Sequence, residues 1–251
     1  MKESCFLTKQ LLAFMLMLFI TSIAFSSSLT VGVGVSGPPL VEKAHDSKGV
    51  FYFGFSIDLM DSICEQIKET CTYQEVTLNN QFELLDSGKI DLLILTIPYD
   101  SSKLKQYAIS IPYAASKVQF VTLKTNSING IKDVENKRIG VMRATFYNLL
   151  TQSPYHKNNQ IIAYDSNSEL YSDLHTHKID VIALNNALAY GLEMNNIFDL
   201  KLIGESILLG DGYGIIALPD KTKLIEKINK AILDIENNGT FTAIYQRYYK
   251  Y

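Results

Sequence analysis

Residues 90–97 (IDLLILTI) form an almost continuously apolar segment that does not alternate between apolar and polar positions. A strand of this kind is buried on both faces, as in a parallel sheet that helices cover. The chain ahead of it carries a strand pattern at 30–35, a helix pattern with one apolar face at 55–68, a strand after Cys71 and a short helix at 81–87. The first third of the chain is therefore predicted to be β-α-β-α-β.

A second unit of the same type is predicted from about residue 137, where the strand pattern RIGVM leads into a helix from Thr145. The alternation of elements then continues, which indicates an α/β protein. Two such units, joined near residues 112–118, suggest two lobes with a ligand held between the carboxyl ends of their strands. The later strands are expected at 160–164, 179–184, 200–203 and 214–218, and the helices at 166–176, 185–195 and in two closing segments.

The first 26 residues read as a secretory signal peptide. Lys2 and Lys9 flank a short n-region, and an apolar run at 11–25 follows it and leads into three serines. A membrane anchor is the less favoured alternative, because the run is shorter than the roughly 20 residues that a spanning helix needs. Export would leave Cys64 and Cys71 in an oxidising compartment, where we expect them to form a disulfide and not to remain two separate thiols. The mature protein is expected to be soluble.

Several kinds of function lack a positive signal. The formal net charge is −3 and no basic run occurs, which argues against nucleic-acid binding. Residues 32–37 match the dinucleotide pattern G-x-G-x-x-G, but two prolines follow where a helix is required, so a glycine-rich strand end is favoured over a cofactor site. His175 and His177 point apart on a helix and have no carboxylate cluster beside them. We therefore predict no metal, no cofactor and no catalytic site.

The sequence resembles the amino-acid type of bacterial extracellular solute-binding proteins, the receptors of ABC importers. GFSIDLM at 54–60 is similar to a signature of that family, and NNGTFTAIYQRYY at 237–249 is similar to its C-terminal helix. The cysteine pair resembles the branch that binds lysine, arginine, ornithine and histidine. The resemblance implies a periplasmic Venus-flytrap fold with two crossing hinge segments. It places lobe 1 at 29–114 plus 213–251 and lobe 2 at 119–208.

The resemblance also transfers a ligand site, which departs from the family pattern at two important positions. Lys103 stands where an arginine of the family forks onto the ligand carboxylate, and lysine lacks that planar two-donor geometry. Asn185 stands where an aspartate pairs the ligand ammonium. Thr145 matches a threonine at the start of a helix, which can hold an anion. The other matched positions are Ser36, Leu78, Thr96, Pro98, Met142 and Phe146.

Together these residues predict an anion clamp, made by Lys103 and Thr145, beside a weakened amine site that Asn186 or Asp211 could complement. The expected ligand is an amino-acid derivative or a small carboxylate. We expect a monomeric substrate-binding subunit that delivers this ligand to the membrane permease of an ABC transporter. The alternatives are a cyclohexadienyl or arogenate dehydratase-like enzyme, with Asp211 or Glu205 as its acid or base, and a ligand-sensing module without a permease.

Overall fold

The computed structural model describes residues 28–36, 39–47, 49–143 and 145–249. The predicted signal peptide at 1–26 lies outside these ranges. Within them, no helix combines the length and the apolar character needed to cross a membrane. The first group of elements is β1 (Ser28–Gly34), β2 (Glu42–Asp46), β3 (Gly49–Phe53), α1 (Phe55–Ile67), β4 (Thr70–Val76), α2 (Gln81–Asp86), β5 (Leu92–Ile94) and β6 (Ala108–Ile109).

The second group of elements follows a connecting segment and again alternates strands and helices. It consists of β7 (Lys117–Leu123), β8 (Arg138–Met142), α3 (Tyr147–Gln152), β9 (Gln160–Tyr164), α4 (Asn167–His175), β10 (Val181–Asn185), α5 (Asn186–Met194) and β11 (Leu200–Leu208). The chain then returns to the first group with β12 (Ile215–Ala217), α6 (Thr222–Asn237) and α7 (Thr240–Tyr248).

Two five-stranded sheets organise the molecule, and each forms the centre of one lobe. The first has the strand order β4-β1-β5-β12-β6, and the second has the order β11-β7-β10-β8-β9. In each sheet three strands are parallel neighbours, namely β4, β1 and β5 in the first and β10, β8 and β9 in the second. Antiparallel strands complete both sheets. The α/β class and the two-lobed fold predicted from the sequence are thus confirmed.

Helices pack against the first sheet through apolar faces that the sequence spacing sets. In α6 the residues Ile225, Ile228, Ile232 and Ile235 recur at intervals of three or four and are buried against the core of the lobe. Helix α1 begins after Gly54, whose φ of +127° and tight packing on the Leu40 carbonyl leave no room for a side chain. The predicted bond between Cys64 and Cys71 is present and joins α1 to β4.

Two antiparallel segments link the lobes. Tyr213 and Ala114 form a bridge, in which the Tyr213 amide donates to the Ala114 carbonyl at 2.9 Å. The Leu209 amide donates to the Ser116 carbonyl at 3.1 Å, so the outgoing and returning chains run side by side. This pair of segments is the double crossing that the resemblance implied. The division at the predicted lobe boundaries, 29–114 plus 213–251 and 119–208, remains a proposal.

Some expected elements differ from the observed ones. Strand β5 has three residues where eight were predicted, and α3 begins at Tyr147 instead of Thr145, because Thr145 lies in a turn whose amide donates to the Met142 carbonyl. Strand β7 and the β2–β3 hairpin were not predicted. The hairpin forms a separate two-stranded sheet whose residues are largely exposed, so it has no buried face to give a pattern.

Candidate functional site

A cavity of about 470 Å³ lies between the two lobes. Five strands end at its wall, and the last residue of each one lines it. These residues are Gly34, Val76 and Ile94 from the first sheet and Met142 and Asn185 from the second. The carboxyl ends of parallel strands are where open α/β sheets bind ligands. The volume lies within the range of roughly 300–1,000 Å³ that small-molecule pockets occupy.

Eight of the nine predicted ligand-site residues line this cavity. Lys103 is the exception among the described residues, because it ends a 3-10 turn at Ser101–Lys103 with its side chain 53% exposed. Its ammonium lies 3.9 Å from the Asp100 carboxylate. The predicted ligand contacts of all nine residues remain a proposal. The residues that the structure brings together are Ser36, Leu78, Thr96, Pro98, Met142, Thr145, Phe146 and Asn185.

Asn185 uses both polar atoms of its side chain within the protein. Its Oδ1 accepts from the Ala187 amide at 2.9 Å and so caps the start of α5. Its Nδ2 donates to the Tyr213 Oη at 2.9 Å, which links the second lobe to the returning segment. Burial raises the pKa of Tyr213 to about 12, so this phenol is neutral at any physiological pH. The Asn185 side chain is therefore a neutral connector on the cavity wall.

Thr145 also has a local partner, since its Oγ1 donates to the Met142 carbonyl at 2.9 Å. The next residue, Phe146, is 1% exposed and belongs to the core of the second lobe. On this side the wall is otherwise largely apolar, with Ala183, Leu184 and Leu188. The second lobe thus offers the cavity a largely apolar surface, and two of its polar side chains, Thr145 and Asn185, form hydrogen bonds within the protein.

The first lobe contributes most of the remaining polar groups. Sequence reasoning missed Glu75, Thr77 and Gln81, which line the cavity with the predicted Ser36 and Thr96. Glu75 is the penultimate residue of β4, and Thr77 directly follows that strand. Their position at a strand's carboxyl end was the signal that could have identified them. Sequence reasoning also missed Asn167 in the second lobe, and Tyr213 and Tyr249 near the crossing segments.

The residues proposed to complement the amine site lie elsewhere. Asp211 accepts from the Ser101 amide at 2.7 Å, and hydrogen bonds from Ser101 lower the pKa of its carboxyl group. Neither Asp211 nor Asn186 is among the described residues that line the cavity. Across the same described ranges, no group of three or more His, Cys, Asp or Glu residues could hold a metal ion.

Two α/β lobes with paired crossing segments and a cavity at the facing strand ends define the class of two-lobed solute-binding proteins. The model of the family "Bacterial extracellular solute-binding proteins, family 3" matches residues 29–251. The chain therefore belongs to this family of solute-binding proteins, as the resemblance implied.

Relatives cover almost the whole chain. The chain is 24% identical over 236 residues to the histidine-binding periplasmic protein of Escherichia coli (strain K12), covering 91% of this chain and 90% of the relative. It is 26% identical over 245 residues to ABC transporter arginine-binding protein 1 of the same strain, with coverages of 96% and 98%. A solved structure of an arginine 3rd transport system periplasmic binding protein from Legionella pneumophila has a TM-score of 0.72 at 30% identity, covering 89% of this chain and 100% of that one.

Proposed function

We propose that the protein is the extracytoplasmic receptor of an ABC importer and binds an amino-acid derivative or a small carboxylate through an atypical amine site. The relatives named for histidine and arginine support an amino-acid-like ligand and a permease as partner. The predicted signal peptide supports a periplasmic location. A dehydratase is not favoured, since the relatives are binding proteins and Asp211 lies outside the cavity wall with a lowered carboxyl pKa.

The observation that carries the atypical amine site is the bonding of Asn185. An ammonium enclosed in a cavity needs a counter-charge or several acceptors to offset its lost hydration. Asn185 has no charge, and its carbonyl oxygen already accepts from the Ala187 amide. The ligand α-amine therefore gains little at this position, and molecules without that amine remain suitable ligands.

Isothermal titration calorimetry with L-arginine and its deamino analogue, δ-guanidinovalerate, tests this proposal. The two molecules differ in the α-amine, and we expect their dissociation constants to differ by less than about tenfold, or about 1.4 kcal/mol. A neutral amino acid and its deamino analogue provide a second pair. Strong binding of the amino acids with complete loss for both deamino analogues would contradict the atypical amine site.

The variant Asn185→Asp sharpens the test. Aspartate caps a helix as well as asparagine does, so α5 should be retained, while the new carboxylate supplies the missing charge. We expect L-arginine to bind about tenfold more tightly and δ-guanidinovalerate to gain nothing. Asn167→Asp is a matched control, because Asn167 also lines the cavity from the second lobe at the start of a helix. An equal gain in affinity for L-arginine in both variants would mean that only the net charge of the cavity matters for binding, and not the position of the new carboxylate.

A further inference from the structure

Glu75 is the one charged residue among the described residues that line the cavity. It belongs to β4, while the opposite wall in the second lobe is formed largely by apolar side chains. A carboxylate beside apolar walls attracts a cation more strongly than it would in open water, because the surroundings screen the charge less. The predicted cation of the site, Lys103, does not line the cavity, so the described lining residues carry one negative charge and no positive charge.

The carboxylate of Glu75 has a partner that a ligand can replace. Lys43 Nζ lies 2.5 Å from Glu75 Oε2, and the two side chains are 34% and 39% exposed. Lys43 comes from β2, in the separate two-stranded hairpin, and is not among the described lining residues. The hydrogen bond to Glu75 raises the pKa of Lys43, which keeps the ammonium charged. An exposed ion pair of this kind contributes little to stability, so exchanging its cation costs little.

We propose that Glu75 determines specificity by pairing with a guanidinium or ammonium group at the side-chain end of the ligand, in the place that Lys43 occupies in this structure. This inference rests on the proposed function and narrows its ligand class to cationic amino-acid derivatives. The first lobe then recognises the charge, and the neutral Asn185 in the second lobe leaves the α-amine unselected. A guanidinium fits the carboxylate best, because it can donate two parallel hydrogen bonds.

L-Arginine and L-citrulline separate the charge from the shape, because a neutral urea group replaces the guanidinium in citrulline. Calorimetric titration of the full chain should give arginine at least a tenfold lower dissociation constant. In Glu75→Gln, the affinity for arginine should fall to the affinity for citrulline, while citrulline binding is retained. In Lys43→Met, arginine should bind several-fold more tightly, since its competitor is gone. Glu83→Gln, an exposed carboxylate in α2 outside the described cavity wall, is the matched control and should behave as wild type.

The outcomes separate this inference from the function on which it rests. Retained preference for arginine in Glu75→Gln, with a thermal melt that shows an intact fold, would overturn the role of Glu75. Equal binding of arginine and citrulline to the wild type would overturn it as well, while leaving the amino-acid receptor in place. If neither of these molecules nor their deamino analogues binds, the proposed function fails and the inference fails with it. Loss of citrulline binding in Glu75→Gln would show a structural role and also overturn the proposal.

Discussion

Both lobes contain a β-α-β unit, but different interactions stabilise the connection between its helix and its second strand. In the first lobe a disulfide joins Cys64 of α1 to Cys71 of β4, with 6.2 Å between the Cα atoms. In the second lobe Asn159, just before β9, holds the connection. Its side chain donates to the Val134 and Tyr155 carbonyls at 3.1 and 2.9 Å and accepts from the Lys137 amide at 2.9 Å.

The difference matters because Cys71 lies on the strand that carries Glu75. A covalent cross-link limits the unfolded chain as well as the folded one, whereas the hydrogen bonds of Asn159 exist only in the folded state. In the first lobe the disulfide thus anchors β4, the strand that carries the charged cavity residue Glu75. The second lobe contributes the apolar wall around Phe146.

Of the changes considered, removing the disulfide should have the largest effect on the stability of the first lobe relative to the second. We expect the double variant Cys64→Ala and Cys71→Ala to lower the free energy of unfolding of the first lobe by about 2–3 kcal/mol, because the short loop between them is no longer closed in the unfolded chain. Urea denaturation gives the loss, and hydrogen exchange followed by mass spectrometry assigns it to a lobe. Reductant added to the wild type should reproduce it. Equal deprotection of both lobes would show that they unfold as one unit.

The aspartates before the central strands provide a second comparison. Asp91 precedes β5 and accepts from the Thr30 amide at 2.8 Å, with Lys221 as its ion-pair partner. Asp180 precedes β10 and accepts from the amide of Arg138 at 2.9 Å and from its guanidinium at 2.9 and 2.7 Å. The hydrogen bonds of Arg138 lower the pKa of Asp180. Burial opposes the shift at Asp91, but the bonds from Lys221 and Thr30 outweigh it and lower that pKa too.

A lowered carboxyl pKa stabilises the fold above the ordinary value of about 4, and this contribution is lost as the pH falls through the lowered pKa. We expect Asp180→Asn to cost about 1–2 kcal/mol at neutral pH, since the amide keeps the shape but loses the charged bonds. Asp91→Asn should cost less, because the partner of Asp91 is the ammonium of Lys221, whereas Asp180 binds the two-donor guanidinium of Arg138. Urea denaturation at pH 7 and pH 3 measures both. An equally steep loss in wild type and Asp180→Asn on acidification would contradict this account.

Much of this architecture could be predicted from the sequence because buried strands leave clear apolar segments. The bounds of β8 and β9 agree with the predicted ones, since polar residues flank both apolar segments. Strand β7 was missed although it lies inside the second sheet. Two of its buried residues are polar, Gln119 and Thr122, and they obscure the pattern. Their side chains donate to the carbonyls of Ile203 and Asp180, which only the folded sheet brings close.

The candidate site could be predicted in part, and the reason is geometric. Residues at strand ends, such as Met142 and Asn185, reach the cavity because the sheet fixes their direction. The direction of Lys103 depends on how a 3-10 turn orients a long side chain, which its position after a strand does not determine. Glu75 was missed because the strand after Cys71 was predicted without its end, so the place of Glu75 at a carboxyl end was not recognised.

Removing the hydrogen bond from Asn185 to Tyr213 tests whether it helps to hold the two lobes together. We expect this change to have the smallest effect of those considered. Tyr213 is 6% exposed and lies on the returning segment, so Tyr213→Phe removes the acceptor without changing the packing. We expect a cost of about 0.5–1.5 kcal/mol, which would shift the population away from the observed lobe arrangement. Small-angle X-ray scattering should then show a larger radius of gyration without ligand, and excess L-arginine should restore the wild-type value. Unchanged scattering and unchanged arginine affinity would mean that the crossing segments alone set the lobe arrangement.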